Sequence, residues 1–155
     1  MQGSYRLGLW YINVIWDNTL VFSVRFQRTR ISGSVPDEIT RYLSGKRTTL
    51  APLTSSLSSL EGKYGDIYRA VQSIPFGEVK TYGEIAREVK TSPRIVGLAM
   101  MRNSTPLLIP CHRVVSAHGI GGFTPDIWIK EELLRIENRK LKQMMYQPTK
   151  LELGE

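Results

Sequence analysis

The sequence predicts a mixed α/β (α+β) fold: a small β-rich N-terminal part followed by a helical part that carries a helix-turn-helix. Three observations point to it. Apolar and polar residues alternate with a period of two across residues 5–27, the pattern of half-buried strands. Two helix-start signals, at Thr81 and at Ser92, follow each other closely. Finally, Leu107 to Val115 reads as a buried strand interrupted at the only cysteine of the chain.

Residues 5–27 are expected to form a β-hairpin. Leu7, Leu9 and Tyr11 alternate, Val14-Ile15-Trp16 is an apolar end, and Asp17-Asn18 is a turn signal. Phe22, Val24 and Phe26 then share one face, opposite Ser23 and Arg25. Pro36-Asp37-Glu38 opens a short helix to about Leu43, ended by Gly45, because proline suits a first turn and acids there complement the helix dipole. The polar run 54–59 is expected to be a linker, which divides the chain into units 1–54 and 55–155. A helix from about Leu60 to Ser73 places Leu60, Tyr64, Ile67, Tyr68 and Val71 on one stripe.

Thr81-Tyr82-Gly83-Glu84 has the spacing of a capping box. Its short helix ends at Lys90-Thr91, and Ser92-Pro93 starts another that runs to about Arg102 and buries Val96, Ala99 and Met100. Two short helices so tightly joined predict a helix-turn-helix. Ser116 to Pro125 is a loop with Gly119, Gly121 and Gly122, which can bring backbone amides close to a ligand. Asp126 caps a last helix to about Leu141, with Ile129, Leu133, Ile136 and Lys140 on one face and Glu137 beside it. Residues 142–155 are expected to be a loosely held tail.

Composition narrows the function. A chain of 155 residues forms one or two compact domains, and 41% apolar with 23% charged residues is ordinary for a soluble protein. No run approaches the roughly 20 apolar residues of a membrane span, and no signal peptide is expected at the N-terminus. A single cysteine excludes an internal disulfide and a Cys-rich zinc site. A working thiol implies a reducing compartment, and the net charge of +7 favours a polyanionic partner.

The cysteine itself is the centre of the chemistry. Pro110 stiffens the backbone before Cys111 and removes a ladder donor. His112 supplies a base and Arg113 a fixed positive charge, and both favour a thiolate. An apolar approach, a rigid corner and a thiol flanked by cations describe a presented nucleophile better than core filler.

Pro110-Cys111-His112-Arg113-Val114-Val115 resembles the active-site signature of the 6-O-alkylguanine-DNA alkyltransferases. Pro75 to Val79, Thr81 to Ala86, Ser92 to Gly97, Arg102-Asn103 and Gly119 to Phe123 resemble the same family in its order, so the similarity covers about residues 60–141. The resemblance implies an abbreviated ribonuclease-H-like N-terminal domain and a winged-helix-like catalytic domain. It also implies single-turnover transfer of an alkyl group from guanine in double-stranded DNA to Cys111.

The family pattern gives each residue a role. Glu137 completes a Cys111–water–His112–Glu137 relay. Arg94 fills the stack left by the flipped base, and Tyr82 sits beside the flipped nucleotide as proton donor. Ser92, Arg102 and Arg113 join Arg94 and Tyr82 on the DNA surface. Asn103 is the hinge, and Pro110, Val114, Gly121, Gly122 and Phe123 shape the pocket. No cofactor, metal or membrane is implied. The expected state is a monomer in the cytoplasm, on the nucleoid, or in the nucleus of a eukaryote. Phe123 stands where tyrosine is frequent, and Thr124 to Trp128 replaces a smaller Gly-containing run, which bears on the pocket mouth. Two other readings compete: a non-catalytic alkylated-DNA-binding module, which Cys111 argues against, and a Cys-His-Glu hydrolase, which needs an oxyanion hole that nothing in the sequence specifies.

Overall fold

The alternation in residues 5–27 resolves into three strands, not the two of a hairpin. The computed structural model describes residues 1–138. It begins with an antiparallel meander of β1 (Gln2–Leu7), β2 (Trp10–Asp17) and β3 (Leu20–Gln27). The extra turn falls at Gly8, whose φ of 61° suits glycine. A side chain there would also strike the ring of Trp128. The face assignment of β3 changes as well. Pairing passes from Ile15–Ser23 to Trp16–Val21, so Phe22 is an extra, bulged residue. The bulge resets the alternation: Val21 and Val24 turn inward and Phe22 is left 45% exposed.

The helix α1 (Asp37–Leu43) forms where proline and the acids place it, buries Ile39, Tyr42 and Leu43, and is followed by Gly45 at φ 78°. Residues 54–59 are more than a linker. Thr54–Ser55 form β4, which pairs parallel with β3, and the buried Ser55 hydroxyl bonds Thr105 at 2.5 Å. The sheet order is β1-β2-β3-β4. Next comes α2 (Gly62–Gln72), one turn shorter than the apolar stripe suggests, with Leu60 outside it and 40% exposed.

β5 (Lys80–Thr81) leads into α3 (Tyr82–Val89), and the capping box is complete: Thr81 Oγ1 accepts from the Glu84 amide while Glu84 accepts from the Thr81 amide. Lys90, left-handed at φ 58°, turns the chain into α4 (Pro93–Met101), capped by Ser92 with proline at its start. Val96 and Ala99 are buried and Met100 only partly. Leu107–Ile109 is not a strand. Leu107 takes a φ of 78°, and a single 3-10 turn, Cys111–Arg113, leads into β6 (Val114–Val115), which pairs with β5.

The last helix, α5 (Ile127–Glu137), is capped by Asp126, which also accepts from Trp10 Nε1 at 3.2 Å. Lys140, the proposed helix end at Leu141 and the tail lie outside the described residues. Among the described residues the chain is thus a mixed α+β structure with small sheets and five α-helices. Its apolar residues gather in two clusters. One joins the N-terminal sheet and α1 to Ile129 and Leu133 of α5. The other joins α2, α3 and α4 to Ile109 and Val114. Among the described residues no helix is long and apolar enough to cross a membrane.

Candidate active site

Cys111 opens onto a cavity of about 660 Å³ walled by Tyr82, Arg94, Leu98, Met100, Met101 and Asn103 from the helix-turn-helix side and by Gly122, Phe123 and Pro125 from the loop. Val24, Arg25, Phe26 and Gln27 of β3 close the far wall, with Phe26 tilted against Phe123 at 5.7 Å between ring centroids. Cys111 as a whole is 8% exposed. Asn103 ties the end of α4 to the cysteine turn: its Nδ2 donates to Ile109 O at 2.9 Å and its Oδ1 accepts from the Thr105 amide. Gly121, at φ 79°, carries the loop close to Tyr82, where a side chain would crowd the ring.

Behind the cysteine lies a buried polar network. His112 is fully buried, and its Nε2 lies 2.6 Å from Glu137 Oε2. Glu137 also accepts from Arg113 Nε and Nη2 at 2.9 Å each, from the Gly77 amide at 3.1 Å, and from the Tyr42 hydroxyl. Burial alone would raise its pKa, but His112 and Arg113 outweigh burial and hold the carboxyl well below the usual range. Burial holds the His112 imidazole below its ordinary value, against the pull of Glu137. A neutral imidazole with an ionised carboxylate at Nε2 carries its proton on Nε2. Nδ1 is left as the basic nitrogen, and it makes no hydrogen bond to a protein group among the described residues.

Burial pushes the Cys111 thiol up, with the Asn103 side chain and the Lys130 ammonium pulling the other way without reversing it. Lys130 is itself fully buried, and its Nζ donates to Val114 O at 2.6 Å and Gly122 O at 3.2 Å, 5.9 Å from the Tyr82 ring centroid. Burial lowers it to about 8. Burial, then the charge of Cys111, raises the Tyr82 hydroxyl.

The structure therefore brings Cys111, Tyr82, Arg94, Asn103, Gly122 and Phe123 to one cavity and places His112 and Glu137 behind it. Pro110 and Val114 are buried supports of the turn. Ser92 is an exposed cap. Arg102 lies away from the cavity and donates to the Tyr64 hydroxyl at 3.2 Å. Arg113, expected on the DNA surface, turns its guanidinium inward to Glu137 and to Ile74 O at 2.8 Å. Lys130, Tyr42 and the β3 wall were not expected at the site. Only Lys130 left a signal in the sequence, a lysine one and two turns before Leu134 and Glu137 on the same helix face. The described residues contain no group of three or more side chains able to hold a metal.

The helix-turn-helix shares one cavity wall with a lone cysteine, and a paired histidine and carboxylate lie next to it in the fold, the arrangement of a thiol-centred site. The family model described as 6-O-methylguanine DNA methyltransferase, DNA binding domain, matches residues 63–139. The methylated-DNA–protein-cysteine methyltransferase of Metallosphaera sedula is 39% identical over 105 residues, 68% of this chain and 67% of the relative. That of Methanopyrus kandleri is 36% identical over 104 residues, 67% of this chain and 79% of the relative. The crystal structure of Mycobacterium tuberculosis OGT in complex with DNA matches with a TM-score of 0.72 at 24% identity, over 88% of this chain and 91% of that one, a likeness of fold. The chain belongs to the methylated-DNA–protein-cysteine methyltransferase family.

Proposed function

We propose that the protein repairs DNA directly, moving an alkyl group from the 6-oxygen of guanine to Cys111 in one irreversible turnover. The observation that carries the reading is the cavity with the Cys111 thiol in its wall and the His112–Glu137 pair behind it. In this reading, His112 Nδ1 takes the thiol proton through a bridging water, and Glu137 stabilises the imidazolium that forms. The sulfur attacks the alkyl carbon, the carbon–oxygen bond breaks, and its electron pair leaves with the guanine. The Tyr82 hydroxyl, which burial keeps protonated, donates to the leaving base, and the proton held by His112 returns through solvent so that both side chains end neutral. The Lys130 ammonium near Cys111 favours the developing thiolate. The test is intact-mass analysis after incubation with methylated-guanine duplex: one methyl gained per chain is expected. No mass change would assign the chain to a binding module, and repeated turnover to a hydrolase.

The substrate base must leave the duplex, at a cost of a few kcal/mol. In this reading Arg94, exposed at the start of α4 and lining the cavity, fills the gap. Arg94→Ala is expected to slow repair of duplex DNA at least about tenfold more than reaction with the free modified base, since flipping is absent there. Equal losses on both substrates in rapid-mixing measurements would instead make Arg94 a support of the pocket. The same reading makes the N-terminal sheet an abbreviated ribonuclease-H-like unit and the rest a winged-helix-like acceptor domain, with a boundary near residue 54. It takes the protein as a monomer acting in the cytoplasm on the nucleoid, or in the nucleus of a eukaryote.

A further inference from the structure

Tyr42 belongs to α1, far in sequence from the cysteine turn, and it is 1% exposed. Its ring meets Phe76 edge-on, with centroids 6.1 Å apart. Its hydroxyl donates to Glu137 Oε2 and lies 3.3 Å from His112 Nε2. The oxygen that it reaches is the one that receives His112 Nε2 at 2.6 Å. The other buried tyrosine among the described residues, Tyr68 of α2, satisfies its hydroxyl on a backbone carbonyl, Ala99 O. Glu137 has no need of Tyr42 for its position, because Arg113 and the Gly77 amide already hold it. What the hydroxyl changes is the charge that Oε2 presents to the imidazole.

We propose that Tyr42 is a positioning residue of the proton relay, which limits how strongly Glu137 pulls on His112 and so favours the thiol form of Cys111 at rest. The physical step is short. A phenol donating to Oε2 draws electron density from it, and that oxygen then stabilises an imidazolium less. His112 takes the thiol proton less readily, and less thiolate forms at rest. Burial, followed by the charge of Glu137, holds the Tyr42 hydroxyl well above its ordinary value, so it remains a donor. For a protein that uses each thiol once, a quiet resting state protects it from stray alkylating agents and oxidants, which attack thiolates.

The other groups facing the cysteine and histidine are Tyr68 of α2, Tyr82 of α3, Lys130 and Glu137 of α5, and Arg113 beside them. None of these side chains is itself replaced when only the Tyr42 hydroxyl changes, although Glu137 and Arg113 both interact with it. The sequence contains one thiol, so iodoacetamide reads Cys111 alone.

The experiment measures the iodoacetamide rate from pH 5 to 10 for the full chain, for Tyr42→Phe and for the chain with 3-fluorotyrosine at position 42, a more acidic phenol. Near-UV circular dichroism checks the fold of each. Tyr42→Phe is expected to move the profile midpoint down by about 0.5–1 pH unit, and the fluorinated phenol to move it up. If Tyr42→Phe does not fold, the fluorinated chain, which keeps the hydroxyl, decides alone. Profiles superimposable on the parent, or shifts of the opposite sign, overturn the assignment. The inference rests on the alkyl-transfer reading only for its consequence in repair, and methyl uptake from methylated-guanine duplex is measured in parallel. A parent chain that takes up no methyl group while its iodoacetamide profile still responds to position 42 overturns alkyl transfer and supports the role of Tyr42.

Discussion

Cys111→Ser leaves a protein that binds duplex DNA within about twofold of the parent and takes up no methyl group. The binding half of this expectation follows from position. Cys111 is 8% exposed, while Arg94 and the start of α4 are at the surface, and removing one small buried contact changes binding free energy by no more than about 0.5 kcal/mol. The chemical half follows from acidity. Burial already pushes the thiol up and the His112 imidazole down, and both shifts disfavour transfer of the thiol proton. A serine hydroxyl is far less acidic than a thiol and its oxygen a poorer nucleophile toward an alkyl carbon, so the same relay gives no measurable transfer. Electrophoretic mobility shifts and intact-mass analysis on the same sample check the two halves. Methyl uptake by the serine chain would place the acceptor elsewhere and dismantle the mechanism.

Glu137→Gln is expected to damage both reactivity and fold. A glutamine keeps the volume but turns an amide group toward donors: Arg113, the Gly77 amide, Tyr42 and His112 all address this carboxylate. Arg113, only 11% exposed at its side chain, loses its counter-charge. Leaving one partner of a buried pair costs about 3–5 kcal/mol, which lowers the melting temperature by roughly 10 °C in a chain of this size.

The pH dependence gives a second readout. The Glu137 carboxyl sits below its unfolded value, so its contribution to stability is complete above about pH 4.3 and fades as acid carries the pH down through the folded value. The glutamine chain should lack this acid-dependent loss. Its alkylation at neutral pH should also be slower, because His112 loses the anion that stabilises its protonated form, and part of the rate should return as pH rises and solvent removes the thiol proton. An unchanged melting temperature with an unchanged pH–rate profile from pH 6 to 10 would remove Glu137 from the relay.

What the sequence disclosed depends on how local the cause is. The helix-turn-helix was legible because Thr81, Glu84, Ser92 and Pro93 act on amides within one turn of themselves. The nucleophile was legible because its partner His112 is adjacent. Glu137 was placed by resemblance, since nothing in its helix alone sets it apart from a surface acid. Phe22 was misread because a bulge, decided by pairing with β2, breaks the alternation that a single strand shows. Arg113 was assigned to DNA because a basic residue beside a nucleophile gives no sign of facing inward; only the arrival of Glu137 and Ile74 O decides it. Tyr42 and the β3 wall are contributed by a segment remote in sequence, so no spacing rule reaches them.

The helix α5 has consequences for anyone wishing to use this chain as a small covalent label on other proteins. One side of it carries Lys130 and Glu137 to the cysteine. The other carries Ile129 and Leu133, fully buried against the N-terminal sheet. Trimming the chain to the half that holds the thiol would uncover those two side chains and the Trp10 contact to Asp126 at once. It would also strip Tyr42 from the carboxylate. A shortened tag therefore needs polar replacements at Ile129 and Leu133 before it can be expressed without clumping, whereas insertions are better tolerated at the exposed Asp17-Asn18 turn.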